Sequence, residues 1–343
     1  MRLLIITQKV DEKDPGLGFF VRWIDMFAKH ASSVKVVCLL KGEYSGGCEV
    51  WSLGKEQGPS RFKYIRRFYG AIWKWHNAYD TVFVHMNAEY VVLAGLWWRL
   101  MGKKIILWYN HTDGNWKARL AIALSHRVCH TSPYAFTAGY SKSRKMPAGI
   151  PTDIFQTGNA EQLKNSVLYI GRIAPVKNVD ILLQALQHLG LEGDTVHADI
   201  YGDALPRDKS YYDSILKATA QSFGRSVIRV HPGILNSETP KLYSSHEIFV
   251  NLTPRGNYDK TVLEAMACGA IPIVSSPAFF DIVPETLRFS ERNSQSLADT
   301  IGRTLRMTSE ERQMYRDRFI HYVRTEHSLA KLGQALYALA NEL

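Results

Sequence analysis

The sequence predicts an α/β protein with two doubly wound, Rossmann-like domains. Three observations carry that expectation. Short apolar runs of strand type alternate with amphipathic runs at helical spacing along the chain, the pattern of βαβ units and a parallel sheet. The length of 343 residues is enough for two domains of ordinary size. A polar stretch, Gln156 to Asn165 (QTGNAEQLKN), interrupts the alternation midway and reads as a linker. The expected domains are residues 1–155 and 156–327, with a last helix at 328–343.

Composition narrows the class. At 46% hydrophobic and 22% charged residues, the chain is an ordinary soluble globular protein. The four cysteines, Cys38, Cys48, Cys129 and Cys268, lack C-x-x-C spacing, and three of them lie in or beside apolar patterns. They are expected to be reduced and buried, which argues against a disulfide frame or a zinc site and for a cytoplasmic protein. The apolar run at Met1 to Thr7 is too short for a signal peptide, and no run approaches the ~18–20 residues that span a bilayer. Charge is unevenly placed. Residues 1–150 hold 22 Lys/Arg against 10 Asp/Glu, whereas residues 151–343 hold 20 against 22. The first half should therefore face something anionic.

Arg2 to Thr7 opens the first domain as a strand. The loop to Phe19 contains Gly16-Leu17-Gly18, and Phe19 to His30 follows with Phe20, Trp23, Ile24 and Phe27 at helical spacing. Glycines at this position let a ligand approach the backbone; a plain tight turn accounts for them equally. Val34 to Leu39 is the next strand. From Arg61 to Trp75 there are five cations, six aromatics and no acid. Basic plus aromatic residues on a helix make an interfacial membrane segment, with Arg61, Lys63, Arg66, Arg67, Trp73 and Trp75 as the candidate contacts. A helix that packs its rings inward and solvates its cations is the alternative. Strands follow at Thr81 to His85, Lys104 to Tyr109 and Arg127 to Thr131, with a helix over Ala88 to Met101. His85 and His111 stand at two of these strand ends.

The second domain repeats the scheme. Ser166 to Ile170 is a strand, Gly171 to Asn178 (GRIAPVKN) a loop, and Val179 to Leu189 an amphipathic helix. The strand Thr195 to Tyr201 ends at Gly202-Asp203. The strand Val227 to Val230 ends in His231-Pro232-Gly233-Ile234-Leu235, and Ser237 and Pro240 signal a helix start. Ile248 to Leu252 is a buried strand, Arg255 to Lys260 a loop, Thr261 to Cys268 a helix stopped by Gly269, and Ile271 to Ser275 a strand. This βαβ unit puts its loop at the carboxyl edge of a parallel sheet, where open α/β sheets bind ligands. Its helix amino terminus offers N–H groups to a phosphate. Glu264 sits one turn in, within reach of a ligand held by the loop. The chain is then helical over Ser294 to Met307 and Ser309 to Leu343.

LEAMACGAIPIV (Leu263 to Val274) and GRIAPVKN closely resemble glycosyltransferase family 4, retaining enzymes of the GT-B fold. The resemblance is strong over Val167 to Ser275 and weaker before it; MPAGIPTDIF (Met146 to Phe155) resembles the turn that closes the family's first domain. It implies two Rossmann-like domains with a cleft between them and a last helix that returns to the first domain. It further implies transfer of a sugar from a nucleotide-sugar donor without a bound metal; no D-x-D pair is present to anchor one. In the family, Arg172 and Lys177 would grip the donor diphosphate, whose growing charge fixed cations stabilise. Glu264 would hold the ribose hydroxyls, and His111 would contact the transferring sugar; these four are the expected catalytic residues. Gly16, Gly18, Gly171, Gly202, Gly233, Leu235, Asn257, Tyr258, Asp259, Lys260 and Thr261 complete the expected donor site. The family has a further glutamate where this chain has Gly256, and Asn257, Asp259 or Lys260 are candidates to replace its contacts.

The expected partners are a nucleotide-sugar, a glycan or lipid-linked acceptor, and an anionic membrane surface on the cytoplasmic side; no cofactor and no nucleic acid are expected. A catalytically inert GT-B-like scaffold, suggested by Gly256, and a nucleic-acid-binding protein using the basic aromatic segment are the alternatives. The second leaves Arg172, Lys177 and Glu264 unexplained.

Overall fold

A computed structural model of the chain describes every residue except 159–161, 192–194, 221–222, 255 and 257. It divides into two units, one of Met1–Gly149 with Ser328–Leu343 and one of Ile150–His327.

The first unit runs β1 (Arg2–Val10), α1 (Phe19–His30), β2 (Ser33–Lys41), β3 (Glu49–Ser52), α2 (Arg61–Lys74), β4 (Thr81–His85), α3 (Ala88–Leu100), β5 (Lys104–Trp108), α4 (Trp116–Leu124), β6 (Arg127–His130) and β7 (Ser143–Lys145). Its seven strands are all parallel, in the order β3-β2-β1-β4-β5-β6-β7. Central strands are covered on both faces, so they read as continuous apolar runs; every residue of β4 is buried. One face packs on α2, α3 and α4 through Phe68, Ile72, Val91, Trp98 and Ile122. The other packs on α1 through Phe20, Trp23, Ile24 and Phe27, the residues at helical spacing. The edge strands β3 and β7 are short and polar, and the apolar pattern gave no sign of them.

The second unit runs β8 (Leu163–Ile170), α5 (Val179–Leu191), β9 (His197–Tyr201), α6 (Lys209–Thr219), β10 (Val227–His231), α7 (Thr239–Ser245), β11 (His246–Asn251), α8 (Lys260–Ala267), β12 (Ile271–Val274), α9 (Ser294–Leu305) and α10 (Ser309–Tyr322). Its five parallel strands are ordered β10-β9-β8-β11-β12. The strand order reverses between β8 and β11, so the loops after these two strands open at the topological switch point of the sheet.

The expected single helix over Ser309 to Leu343 is interrupted. A capping box of Thr308 and Glu311 starts α10, and a π-helical turn, Val323–His327, ends it. Ser328 then caps a new helix, α11 (Leu329–Asn341), by accepting from the Lys331 amide at 3.3 Å. A hydroxyl able to take an amide proton competes with helix continuation at that residue. Within the first unit α11 lies on α1 so closely that a Cβ on Gly333 would come within 2.8 Å of His30.

Candidate functional site

The carboxyl edge of the second sheet gathers the polar residues. β8 and β9 run out into Gly171 and Gly202. The Gly171 amide donates to Tyr201 O at 3.0 Å and the Gly202 amide to His231 O at 3.2 Å. A Cβ on Gly202 would lie 1.9 Å from Gly171 O, so only glycine fits there. At Gly233 a Cβ would meet the Asp203 carboxylate at 2.4 Å. The loop after β8 makes a 3-10 turn, Pro175–Lys177, and then passes through Asn178 at φ 49°. That left-handed conformation favours Asn among residues with a side chain, and the Asn178 amide group ties down by donating to Leu252 O at 3.2 Å. The turn points Lys177 across the sheet, where its Nζ donates to Thr253 Oγ1 at 2.8 Å and to Asp259 Oδ2 at 2.9 Å. Asn251 Nδ2, at 3.1 Å, and the Thr253 hydroxyl donate to the same carboxylate oxygen. Burial alone would push Asp259 up; the Lys177 charge and these bonds outweigh it and hold the carboxyl below its usual range. Arg172 is exposed on the same loop.

Asp259 precedes α8, and Lys260 and Glu264 stand one turn apart on that helix. Glu264 is 4% exposed. Its Oε1 accepts from Asn236 Nδ2 and its Oε2 from the Tyr243 hydroxyl, each at 3.3 Å. Burial pushes the Glu264 carboxyl up, against the pull of Lys260, Asn236 and Tyr243. Burial likewise pushes the Lys260 ammonium well down, against the Glu264 charge. The two form a desolvated pair beneath the loop, alongside the ion pair of Lys177 and Asp259. Asn236, Tyr243, Asn251 and Thr253 were not singled out by sequence.

The remaining expected donor residues divide. Gly256 has φ 89°, a backbone that an L residue adopts only with strain. The loop conformation thus explains a glycine where the resemblance would place a glutamate. Asn257 lies outside the described residues. Tyr258 stacks on Phe279 at 4.4 Å and its hydroxyl meets His327 Nε2 at 3.1 Å, so its ring packs against the π turn. Thr261 is half-buried in the first turn of α8, and Leu235 is half-buried with its carbonyl accepting from Glu238 N at 2.9 Å.

In the first unit, Gly16 and Gly18 sit in a loop that supplies its own anion. Asp14 Oδ1 accepts from the Gly16 amide at 2.9 Å and the Leu17 amide at 2.6 Å, and Lys9 Nζ meets Asp14 Oδ2 at 2.6 Å. A Cβ on Gly18 would approach Asp14 O to 2.6 Å, a packing reason for glycine. His85 is buried, stacked on Phe20 at 4.1 Å. His111 is exposed, edge-on to Tyr109 at 5.0 Å, and partial desolvation lowers its pKa. On α2, Arg61, Arg66 and Trp73 are exposed, while Lys63 and Arg67 reach Gln57 Oε1 at 2.8 and 3.4 Å. Trp75 is not a surface residue: it is 5% exposed and packs edge-on against Trp51 at 5.8 Å.

The chain resembles known proteins over part of its sequence and over the whole of its fold. Residues 164–307 match the family described as glycosyl transferases group 1. No curated protein matches by sequence. By structure, the chain is similar to HepE of Anabaena in complex with UDP, at 15% identity, a TM-score of 0.79 and coverage of 100% of both chains. It is also similar to sucrose-phosphate synthase from Thermosynechococcus elongatus, at 15% identity, a TM-score of 0.78 and coverage of 100% of this chain and 99% of the other. A third is WaaG, a glycosyltransferase involved in lipopolysaccharide biosynthesis, at 15% identity, a TM-score of 0.69 and coverage of 98% and 99%. These likenesses establish the GT-B fold. Residues 164–307 thus match a glycosyltransferase family, within a chain whose fold throughout is GT-B.

Proposed function

We propose that the protein moves a sugar from a nucleoside diphosphate donor to a lipid-linked or cell-surface glycan, with retention of anomeric configuration. The observation that carries the reading is the gathering of Lys177, Lys260 and Glu264 around the amino terminus of α8, with Arg172 exposed on the loop after β8 at the same sheet edge. Arg172 and Lys177 supply fixed positive charge where a diphosphate leaving group gains negative charge, and charge placed before the reaction costs no reorganisation during it. Lys177 is held for that task by Asp259 and Thr253. Glu264, oriented by Asn236 and Tyr243, offers a carboxylate to a ribose diol. In this reading neither a metal nor a covalent nucleophile takes part, and the leaving phosphate helps deprotonate the acceptor. Support for UDP as the nucleotide comes from the UDP and UDP-glucose complexes of HepE. His111 belongs to the first unit, to which we assign the acceptor.

A screen of nucleotide-sugars by thermal shift and hydrolysis tests this directly. One UDP-sugar should raise the melting temperature and be turned over, with EDTA making no difference. Absence of binding by every nucleotide-sugar tried would overturn the reading, and turnover that EDTA abolishes and magnesium restores would overturn the metal-free step.

Membrane attachment belongs to the same proposal. Among the described residues no helix is long and apolar enough to cross a membrane, so attachment would be peripheral, through α2. Phe62 and Trp73 are 78% and 69% exposed beside Arg61 and Arg66. Each cation near an anionic leaflet contributes ~1 kcal/mol. Co-sedimentation should favour anionic over neutral vesicles and weaken with Arg66→Glu and with salt; equal binding to both lipids would contradict it.

A further inference from the structure

We propose that a groove in the first unit, between α2 and the start of α3, seats the apolar chain of an anionic lipid, with the lipid phosphate on Arg61 and Lys117. The inference rests on the transferase reading above and gives its acceptor a site. The groove has a volume of about 560 Å³, within the ~300–1,000 Å³ usual for small-ligand sites. Leu39 and Leu53 line it from the sheet side, Ile65 and Phe68 from α2, and Tyr90 and Leu93 from α3. Its walls are fixed by the fold. Phe68 and Tyr90 pack with ring centroids 5.1 Å apart, and the Tyr69 hydroxyl donates to Leu93 O at 2.7 Å, joining the two helices.

Two features choose the occupant. Arg61 and Lys117 also line the groove, and α2 carries no acidic residue. One carboxylate, Glu89, also lines the groove; it stands 4.0 Å from Lys117 with both side chains well exposed, a pairing that water and salt screen readily. Apolar side chains then continue out of the groove along both helices: Phe62 is 78% exposed on α2, and Leu96 and Leu100 are 63% and 78% exposed on α3. A groove that is apolar inside, cationic at its rim and bordered by exposed apolar residues matches an amphiphile with one negative head and a hydrocarbon tail. A free phosphate satisfies only the cations, and a neutral lipid only the groove.

The probes are farnesyl phosphate, farnesol and inorganic phosphate, each below its aggregation limit, with affinity read by calorimetry on the full chain. Farnesyl phosphate should bind and inorganic phosphate should not. Leu93→Trp, which fills the groove from a partly exposed position, should weaken farnesyl phosphate at least tenfold; Ile65→Trp is the second filling variant should the first melt early. Arg61→Glu with Lys117→Glu should weaken farnesyl phosphate similarly and leave farnesol unchanged. Unchanged affinity in the folded filling variants would overturn the groove. So would an absence of farnesyl phosphate binding while a lipid acceptor in vesicles is still glycosylated, a result that leaves the acceptor reading intact. Farnesyl phosphate binding that follows these variants, with no lipid ever glycosylated, would instead keep the lipid groove and remove the acceptor role.

Discussion

Each unit opens with a strand, a glycine-bearing loop and a helix, yet the two loops are charged in opposite ways. In the first, Asp14 takes the Gly16 and Leu17 amides and Lys9 neutralises it. Asp11 lies against the same lysine at 3.0 Å, so the loop carries its own anions and has little attraction for another. In the second, Gly171 and Gly202 bring two backbones into contact, Arg172 is exposed, and Lys177 meets a single carboxylate, Asp259. The same supersecondary unit is closed by its own side chain in one case and left cationic in the other. A glycine-rich first loop is therefore no guide to a phosphate site until its neighbouring carboxylates are placed.

The largest effect that follows from this comparison is kinetic. Arg172→Ala should lower turnover by about 10²–10³-fold, the usual loss when one stabilising group for developing charge is removed. Because Arg172 is exposed, its melting temperature should stay near wild type. Lys177→Ala should cost turnover and stability together, since Asp259 loses the charge that keeps it ionised. Wild-type turnover in Arg172→Ala would erase the functional half of the comparison.

The smaller effect is structural and concerns the first loop. Burial alone would raise Asp14, but Lys9 and the two amides lower its carboxyl below the usual range. A depressed folded pKa gives stability that is complete above the unfolded value of ~3.9 and is lost as pH falls through the folded one. Asp14→Ala should therefore destabilise the chain by about 1 kcal/mol at neutral pH, the typical net worth of an intramolecular hydrogen bond. The difference from wild type should shrink in acid denaturation below pH ~4. A constant difference across that range would mean that Asp14 contributes by packing alone.

How far the sequence spoke for itself follows from the range of the interactions. The central strands were legible because two covered faces force continuous apolar runs. β3 and β7 were not, since short edge strands carry no such signature. Helical period could have separated Trp73 from Trp75: residues two apart on a helix do not share a face, and one is exposed while the other is in the core. At the sheet edge, Lys177 and Glu264 stand within contiguous recognisable stretches. Their partners do not. Thr253 lies 76 residues from Lys177, and Asn236 and Tyr243 lie 28 and 21 residues before Glu264. Only the parallel sheet brings them together. The glycine at 256 could be seen as a departure, but its reason, a positive φ, belongs to the backbone.

The central claim is that the donor nucleotide sits at the carboxyl edge of the second sheet and not on the first loop. Calorimetric titration of UDP into wild type, Glu264→Gln and Asp14→Ala decides it. Glu264→Gln should weaken binding by ~1.5–3 kcal/mol, the worth of a hydrogen bond to a charged group, while Asp14→Ala should leave the affinity unchanged. Equal affinity in wild type and Glu264→Gln, or a loss confined to Asp14→Ala, would contradict the account.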